Sequence, residues 1–229
     1  MKILGIIPAR AGSKGIPQKN IKNFNGKPLI SWTIETALGC PLISETIVST
    51  ESQEIADMAK SYGASVPFMR PSDLAKDSTP GIEPVLHAIQ QLSEYDWILV
   101  LQPTSPLRTV DDICGIINLV KDKKASSAVS VSEAINHPYW SYTLEKGKLL
   151  SICKNEIPLL RQDLPPAYNL NGALYLASRN FLEVKRTIKD ESTLAYVMPR
   201  HRSVDIDDID DWSFAEYLIK KTINKCTKL

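Results

Sequence analysis

The run Trp97-Ile98-Leu99-Val100-Leu101 carries no polar residue on either side of a strand's two-residue period. Such a strand must bury both faces, and a parallel sheet with helices packed on each side does this. Ile3 to Ile7 reads the same way and is stopped by Pro8. Around these two runs, helix-like and strand-like segments alternate. Pro28 to Leu38 sets apolar residues at helical spacing behind a proline suited to a first turn. Thr46 to Thr50 reads as a strand, Glu51 to Tyr62 as a helix ended by Gly63, Ala64 to Met69 as a short strand, and Pro80 to Glu94 as a helix. Thr109 is placed to cap a helix through Val120, and Ser127 to Val131 returns as a strand. Ala173 to Ala177 reads as a further strand, Phe181 to Thr187 as a helical piece and Asp211 to Lys221 as a closing helix. The rhythm predicts a doubly wound α/β sheet with ligands at the carboxyl ends of its strands.

The rhythm breaks at about 134–170, where His137, Pro138, Tyr139, Trp140 and Tyr142 precede a Lys146-Gly147-Lys148 turn and Pro158, Pro165 and Pro166. Short alternating pieces around a turn predict an inserted β-hairpin arm. Its aromatics suit either a partner subunit or a cover over the sheet edge. The 229 residues suffice for one large domain with this arm inserted.

Two stretches carry chemistry. The first follows the opening strand: Ala9, Ala11, Gly12, Ser13 and Gly15 are small, and Arg10, Lys14 and Lys19 are spaced among them, with Asn20 at the end. Small residues let backbone N–H groups converge on a ligand, and the cations add charge-assisted bonds, so the stretch reads as an anion nest. It is neither a Walker A loop nor GxGxxG. A solvated glycine turn is the alternative. The second stretch is Asp205-Ile206-Asp207-Asp208-Ile209-Asp210-Asp211. In extended chain Asp205 and Asp207 share a face while Ile206 packs inward. Two hard oxygen ligands suit a magnesium ion that also holds phosphates, whereas Asp208, Asp210 and Asp211 suit capping of the last helix; capping alone could explain the whole run. Arg108, after the stiff loop Gln102-Pro103-Thr104-Ser105-Pro106, reads as a structural cation, paired with Asp111 or Asp112.

The net charge of +1 argues against a nucleic-acid or membrane surface acting by bulk electrostatics. Cys40, Cys114, Cys153 and Cys226 form no CxxC pair and read as reduced thiols; with no long apolar segment, a cytoplasmic protein is expected. The three histidines show no ligand spacing.

These residues also match a pattern. Ile7-Pro8-Ala9-Arg10-Ala11-Gly12-Ser13-Lys14-Gly15 with Lys19-Asn20 resembles the nucleotide-binding signature of the acylneuraminate cytidylyltransferases, the CMP-sialic acid synthetases, a family that includes CMP-legionaminic acid synthetases. Leu101 to Arg108, Arg161-Gln162-Asp163-Leu164-Pro165, Asn171 to Tyr175 and Asp205-Ile206-Asp207 are similar to its later motifs, in the same order along nearly the whole chain. The resemblance implies a Rossmann-like α/β fold, a homodimer formed through the arm, and transfer of CMP from CTP to the anomeric hydroxyl of a nine-carbon 2-keto sugar acid with release of pyrophosphate. It places Arg10, Ala11, Gly12, Ser13, Lys14, Lys19 and Asn20 at the triphosphate and ribose, with Arg70 and the backbone near Thr79 at the cytosine. Gln102, Asn169 and Tyr175 fall on the sugar side, Arg161 at the sugar carboxylate, and Asp205 and Asp207 at Mg2+. Lys19, Asp205 and Asp207 are the implied catalytic set. N-acetylneuraminic acid is the favoured sugar. Asn169 and Trp140 stand where some sialate-specific members carry arginine and lysine, which makes legionaminic acid the alternative; pseudaminic acid ranks lower, since its enzymes tend to depart from Lys14-Gly15. A GT-A glycosyltransferase using the Asp-x-Asp at 205–207 is a more distant alternative.

Overall fold

A computed structural model describes residues 1–153 and 160–226, with backbone alone at 161 and 223–226. The chain opens with β1 (Ile3–Pro8), followed by the loop over 9–22 and a small ribbon of β2 (Asn23–Phe24) and β3 (Lys27–Pro28). Pro28 then starts α1 (Leu29–Leu38), and β4 (Glu45–Ser49) leads through the Ser52 cap into α2 (Gln53–Ser61). Next come α3 (Glu83–Gln91), β5 (Trp97–Leu101), α4 (Val110–Lys123) and β6 (Ser127–Glu133). The arm contains β7 (Tyr142–Glu145) and β8 (Lys148–Ser151), and β9 (Tyr168–Ser178) returns to the sheet. The chain closes with α5 (Arg179–Lys185), β10 (Leu194–Val197) and α6 (Ile209–Cys226).

Six strands form the main sheet in the order β10-β6-β9-β5-β1-β4. All run parallel except β9, which is antiparallel to both β5 and β6. The apolar runs explain the layers, because successive residues of a strand point to opposite faces. Leu99 and Leu101 of β5 join Ile30 and Ile34 of α1 and Ile113, Ile117 and Val120 of α4. Ile98 and Val100 face the other way, onto Val85, Leu86 and Ile89 of α3 and Phe181 and Leu182 of α5. The chain leaves β1 to add β4 on one side and later adds β5 on the other. The carboxyl ends of β1 and β5 therefore flank the point where strand order reverses, which is where such sheets leave a crevice.

Several expectations change in detail. Ala64 to Met69 forms only an isolated bridge, Ile47 to Ser65, because Pro67 has no N–H to extend the ladder. The helix expected over 80–94 is shorter, Glu83–Gln91, while the closing helix is longer. β10 had no counterpart in the sequence reading; it is a four-residue edge strand, half-buried at alternate positions. The α4 start is a capping box, with Thr109 and Asp112 each satisfying the other's backbone N–H. The expected hairpin is present in β7 and β8, joined through Lys146 and Gly147, both at positive φ (48° and 79°), as a tight two-residue turn requires. Cys40 and Cys114, distant in sequence, meet as free thiols with sulfurs 3.6 Å apart.

Candidate active site

Three chain segments converge at the crevice. The loop after β1 packs inward through Ile16, and Ile206 and Trp212 join it in a small cluster under α6. The third is the loop after β5: its Thr104 carbonyl accepts the Ile206 N–H at 2.8 Å. Ile206 is fully buried, so Asp205 and Asp207 flank it as the extended-chain argument expects. Gly15 lies so close to this segment that an added Cβ would stand 2.1 Å from the Asp207 carbonyl oxygen. Only glycine lets the two backbones touch there. Gly172, at φ +74°, plays the matching part on β9: a Cβ would lie 2.7 Å from Asp205 Oδ2. It sits where the β6–β9 register shifts, and such an irregularity re-aims the strand around the carboxylate. Beside it, buried Asn171 accepts from Ser130 at 2.6 Å and donates to Ser203 at 2.9 Å, which fixes the approach to the aspartates.

The result is a cavity of about 650 Å³. Of the residues singled out in the sequence, Arg10, Gly12, Ser13, Lys19, Asn20, Arg70, Thr79, Gln102, Tyr175, Asp205 and Asp207 line it. Lys14 stands at the rim, largely exposed. Ala11 is not in the lining; its N–H donates to Glu51 Oε1 at 2.7 Å. Asn169 is exposed on β9 and lies outside the lining, because successive residues of a strand face opposite ways and its neighbour Leu170 takes the cavity side. The side chain of Arg161 lies outside the described residues.

Charge is arranged in opposed groups. Lys19, with only 11% of its side chain exposed, donates to the Ile206 carbonyl at 2.6 Å and stands 3.6 Å from Asp207 Oδ1. Asn20 donates to the Arg10 carbonyl at 2.9 Å, bracing the loop against itself. Arg10 and Lys14 both rest on Asp77, at 2.5 and 3.2 Å. Arg70, 3% exposed, donates to Glu51 Oε2 at 2.7 Å, and its Nε has no partner among the described residues. Asp205 Oδ1 is likewise buried without a partner. Burial, with the charge of Asp207, pushes the Asp205 carboxyl above the usual carboxylate range, against the pull of Thr104, Lys19 and Arg108. Burial and the Asp205 charge push the Tyr175 hydroxyl up as well. Arg108 is structural, as read, but with other partners: it donates to Thr33 Oγ1 at 3.1 Å and to the Gln102 carbonyl. Burial pushes it down to about 9 despite Asp205 and Asp112, and Asp112 is instead gripped by Arg202 at 2.8 and 3.0 Å. Asp208 accepts the Asp210 and Asp211 N–H groups of the first turn of α6, and Asp211 reaches back to accept the Asp207 and Asp208 N–H groups ahead of it, so capping and the crevice divide the aspartate run between them.

A crowded carboxylate with an unpartnered oxygen, beside a second and exposed one, has the chemistry of a partial cation site. Among the described residues no third carboxylate, histidine or cysteine completes a metal cluster. Two oxygens alone fit a hard cation that takes its other ligands from phosphate and water. Glu51, Asp77, Lys76, Arg186 and Lys189 were not anticipated; the last four line the cavity. The contacts of Glu51, Asp77 and Arg186 span 19 to 103 residues, and nothing in their local sequence marks them.

A doubly wound sheet with a cationic, glycine-dependent loop and an aspartate pair at its switch point defines a nucleotidyltransferase-type α/β enzyme. The cytidylyltransferase family model matches residues 4–194, and the chain belongs to that family. It is 38% identical to CMP-N,N'-diacetyllegionaminic acid synthase of Legionella pneumophila, over 96% of this chain and 97% of that protein. It is 35% identical to the pseudaminic acid cytidylyltransferase of a Campylobacter jejuni strain, over 96% and 97%. Identity is 33% to the N-acylneuraminate cytidylyltransferase of an Escherichia coli strain, over 93% of this chain but 51% of that longer protein. Among solved structures, CMP:2-keto-3-deoxy-manno-octonic acid synthetase complexed with CTP superposes with a TM-score of 0.74 at 16% identity, over 97% of this chain and all of that one. That likeness shows the shared Rossmann-like fold. The glycosyltransferase alternative is left without support.

Proposed function

We propose that this enzyme joins CMP from CTP to the anomeric hydroxyl of a nine-carbon 2-keto sugar acid and releases pyrophosphate. The observation that carries the reading is the convergence of Lys19, Asp205 and Asp207 with the post-β1 loop in one cavity. Phosphoryl-type transfer asks a protein mainly for positioning and charge neutralisation, which is what these groups offer. Arg10, Ser13 and Lys14 hold the outer phosphates, in place of the single carboxylate of Asp77 that now occupies both cations. Lys19, pinned by the Ile206 carbonyl, presents its ammonium where charge builds at the α-phosphate. Asp205 and Asp207 would hold Mg2+, which supplies further neutralisation of phosphate oxygens when bound. Arg70 and Thr79 face the cytosine, and Gln102 and Tyr175 the sugar. The Arg161 guanidinium, by its place on the arm, takes the sugar carboxylate.

For the sugar, the 38% relative and the departures at Asn169 and Trp140 favour a legionaminic-type acid alongside N-acetylneuraminic acid. Overall identity does not rank the pseudaminic relative below the neuraminate one. A homodimer through the arm is part of the same reading. It is supported by the exposure of Leu144, Leu149, Leu150, Ile152 and Leu160, large apolar side chains of the arm that a lone chain leaves in water. Incubated with CTP, magnesium and the sugar acid, the enzyme should release one pyrophosphate per CMP-sugar formed. Hydrolysis of CTP with the sugar untouched, or undiminished turnover after exhaustive chelation, would overturn the reading.

A further inference from the structure

Glu51 follows β4, is not itself part of the cavity lining, and yet joins two of the segments that build it. Its Oε1 accepts the Ala11 N–H of the post-β1 loop at 2.7 Å, and its Oε2 accepts Arg70 Nη2 at 2.7 Å. The side chain is 17% exposed and that of Arg70 3%, so water offers neither partner an easy substitute. The flanking backbone is tied on both sides: Ala9 N–H donates to the Ser49 carbonyl at 3.0 Å, and Arg70 N–H to the Thr50 carbonyl at 2.8 Å. Each oxygen of one carboxylate thus holds one element, and both bonds are short and charge-assisted. Burial pushes the Glu51 carboxyl up, but the Ala11 N–H and Arg70 outweigh it and hold the group below its usual range, so it stays ionised.

Arg70 lines the cavity with donors only, and Nε is unspent. A guanidinium suits the acceptor edge of cytosine, its O2 and N3, and opposes uracil, whose N3 carries a proton. We propose that Glu51 is a positioning residue that couples base reading by Arg70 to the geometry of the phosphate loop. A base that fails to engage Arg70 leaves the guanidinium displaced, and the shared carboxylate passes that displacement to the Ala11 N–H. The inference rests on the proposed placement of cytosine at Arg70, and its test separates the two.

The test compares Glu51→Gln, Glu51→Asp and Arg70→Lys with the wild-type enzyme, each checked by thermal melting. Two quantities are read: the ratio of kcat/KM for CTP over UTP, and inhibition by inorganic triphosphate, which has no base. The amide of Glu51→Gln keeps the shape but can accept from only one of the two donors. It should lower the CTP preference about tenfold or more and weaken triphosphate inhibition by a similar factor, with the KM for the sugar acid within about twofold of wild type. Glu51→Asp, one methylene too short to span both donors, should move both readouts the same way. Arg70→Lys should lower the base preference and, through the altered contact with Glu51, weaken triphosphate inhibition to a lesser degree than Glu51→Gln. An unchanged base preference in Arg70→Lys would sink the placement of cytosine there. A changed preference in Arg70→Lys, with Glu51→Gln altering neither readout or only one, would overturn the coupling alone.

Discussion

Asp205→Asn should make the enzyme more stable and nearly inactive. Asp205 Oδ1 is buried without a hydrogen-bond partner among the described residues, and Asp207 places a second negative charge beside the same carboxylate. The folded protein therefore carries an anion whose lost hydration is only partly offset by Lys19, Arg108 and Thr104. An unsatisfied buried acceptor costs about 1–3 kcal/mol, and asparagine keeps the shape while removing the charge. Discounting for the attraction of Arg108 that is also lost, the net gain should be about 1 kcal/mol, or roughly 2–4 °C in melting temperature for a chain of this size. Turnover should fall by about a hundredfold or more, as for other charge-stabilising groups at a reacting phosphate. Melting is to be followed without nucleotide or divalent metal, where the strain is uncompensated, and pyrophosphate release under saturating substrates. An Asn variant that melts several degrees lower in that state would show that Asp205 is held by structural bonds. One that retains near-normal turnover would show that the carboxylate does not serve the reaction.

Gly15→Ala should separate the loop from the aspartate segment, since its Cβ would meet the Asp207 carbonyl at 2.1 Å; the expected cost is roughly 1–3 kcal/mol by denaturant melting, with activity lost in parallel. A variant as stable and active as wild type would contradict the contact. Asp112 is buried; burial raises its carboxyl, but Arg202 and the Thr109 N–H and hydroxyl prevail and hold it below the usual range. Its stabilisation is therefore present above the unfolded value of about 4 and is lost as pH falls through the folded value. Asp112→Asn should be less stable than wild type at neutral pH by about 1–3 kcal/mol, with the gap closing below about pH 4; a pH-independent gap would refute the assignment. Arg161→Lys keeps the charge but loses the two-pronged grip on a carboxylate, and should raise the KM for the sugar acid roughly ten- to a hundredfold while leaving that for CTP unchanged. A change confined to stability or assembly would make Arg161 a brace of the arm.

What the sequence made legible follows from how locally each feature is caused. β5 could be read residue for residue because a strand buried on both faces leaves no polar position to blur it. The capping of α4 by Thr109 was visible for the same reason, since the cap acts within four residues. The post-β1 loop and the aspartates at 205 and 207 were recognisable as chemistry because each concentrates unusual residues in a short span. Features made by closure of the fold were not. Glu51 and Asp77 look like ordinary surface acids, and acquire meaning only when partners 19, 40 and 67 residues away in sequence meet them. The antiparallel sense of β9 is hidden because its inner half is buried like any parallel strand. β10 escaped because a four-residue edge strand offers too short a pattern to separate from loop. Asn169 drew notice by its position in a motif, but pleating turns its neighbour Leu170 to the cavity instead.

The central claim is that the aspartate pair and the cationic loop together drive sugar-dependent cleavage of CTP. Steady-state pyrophosphate release tests it most directly, measured for wild type and Asp207→Asn with CTP against N-acetylneuraminic, N,N'-diacetyllegionaminic and pseudaminic acids. Asp207 is 84% exposed on its side chain and caps no N–H group among the described residues, so the variant should fold normally. Wild type should release pyrophosphate only when one of these acids is present, and Asp207→Asn should fall by about a hundredfold or more on that same acid. Release independent of any sugar acid, or near-normal turnover in the folded Asp207→Asn variant, would contradict the account.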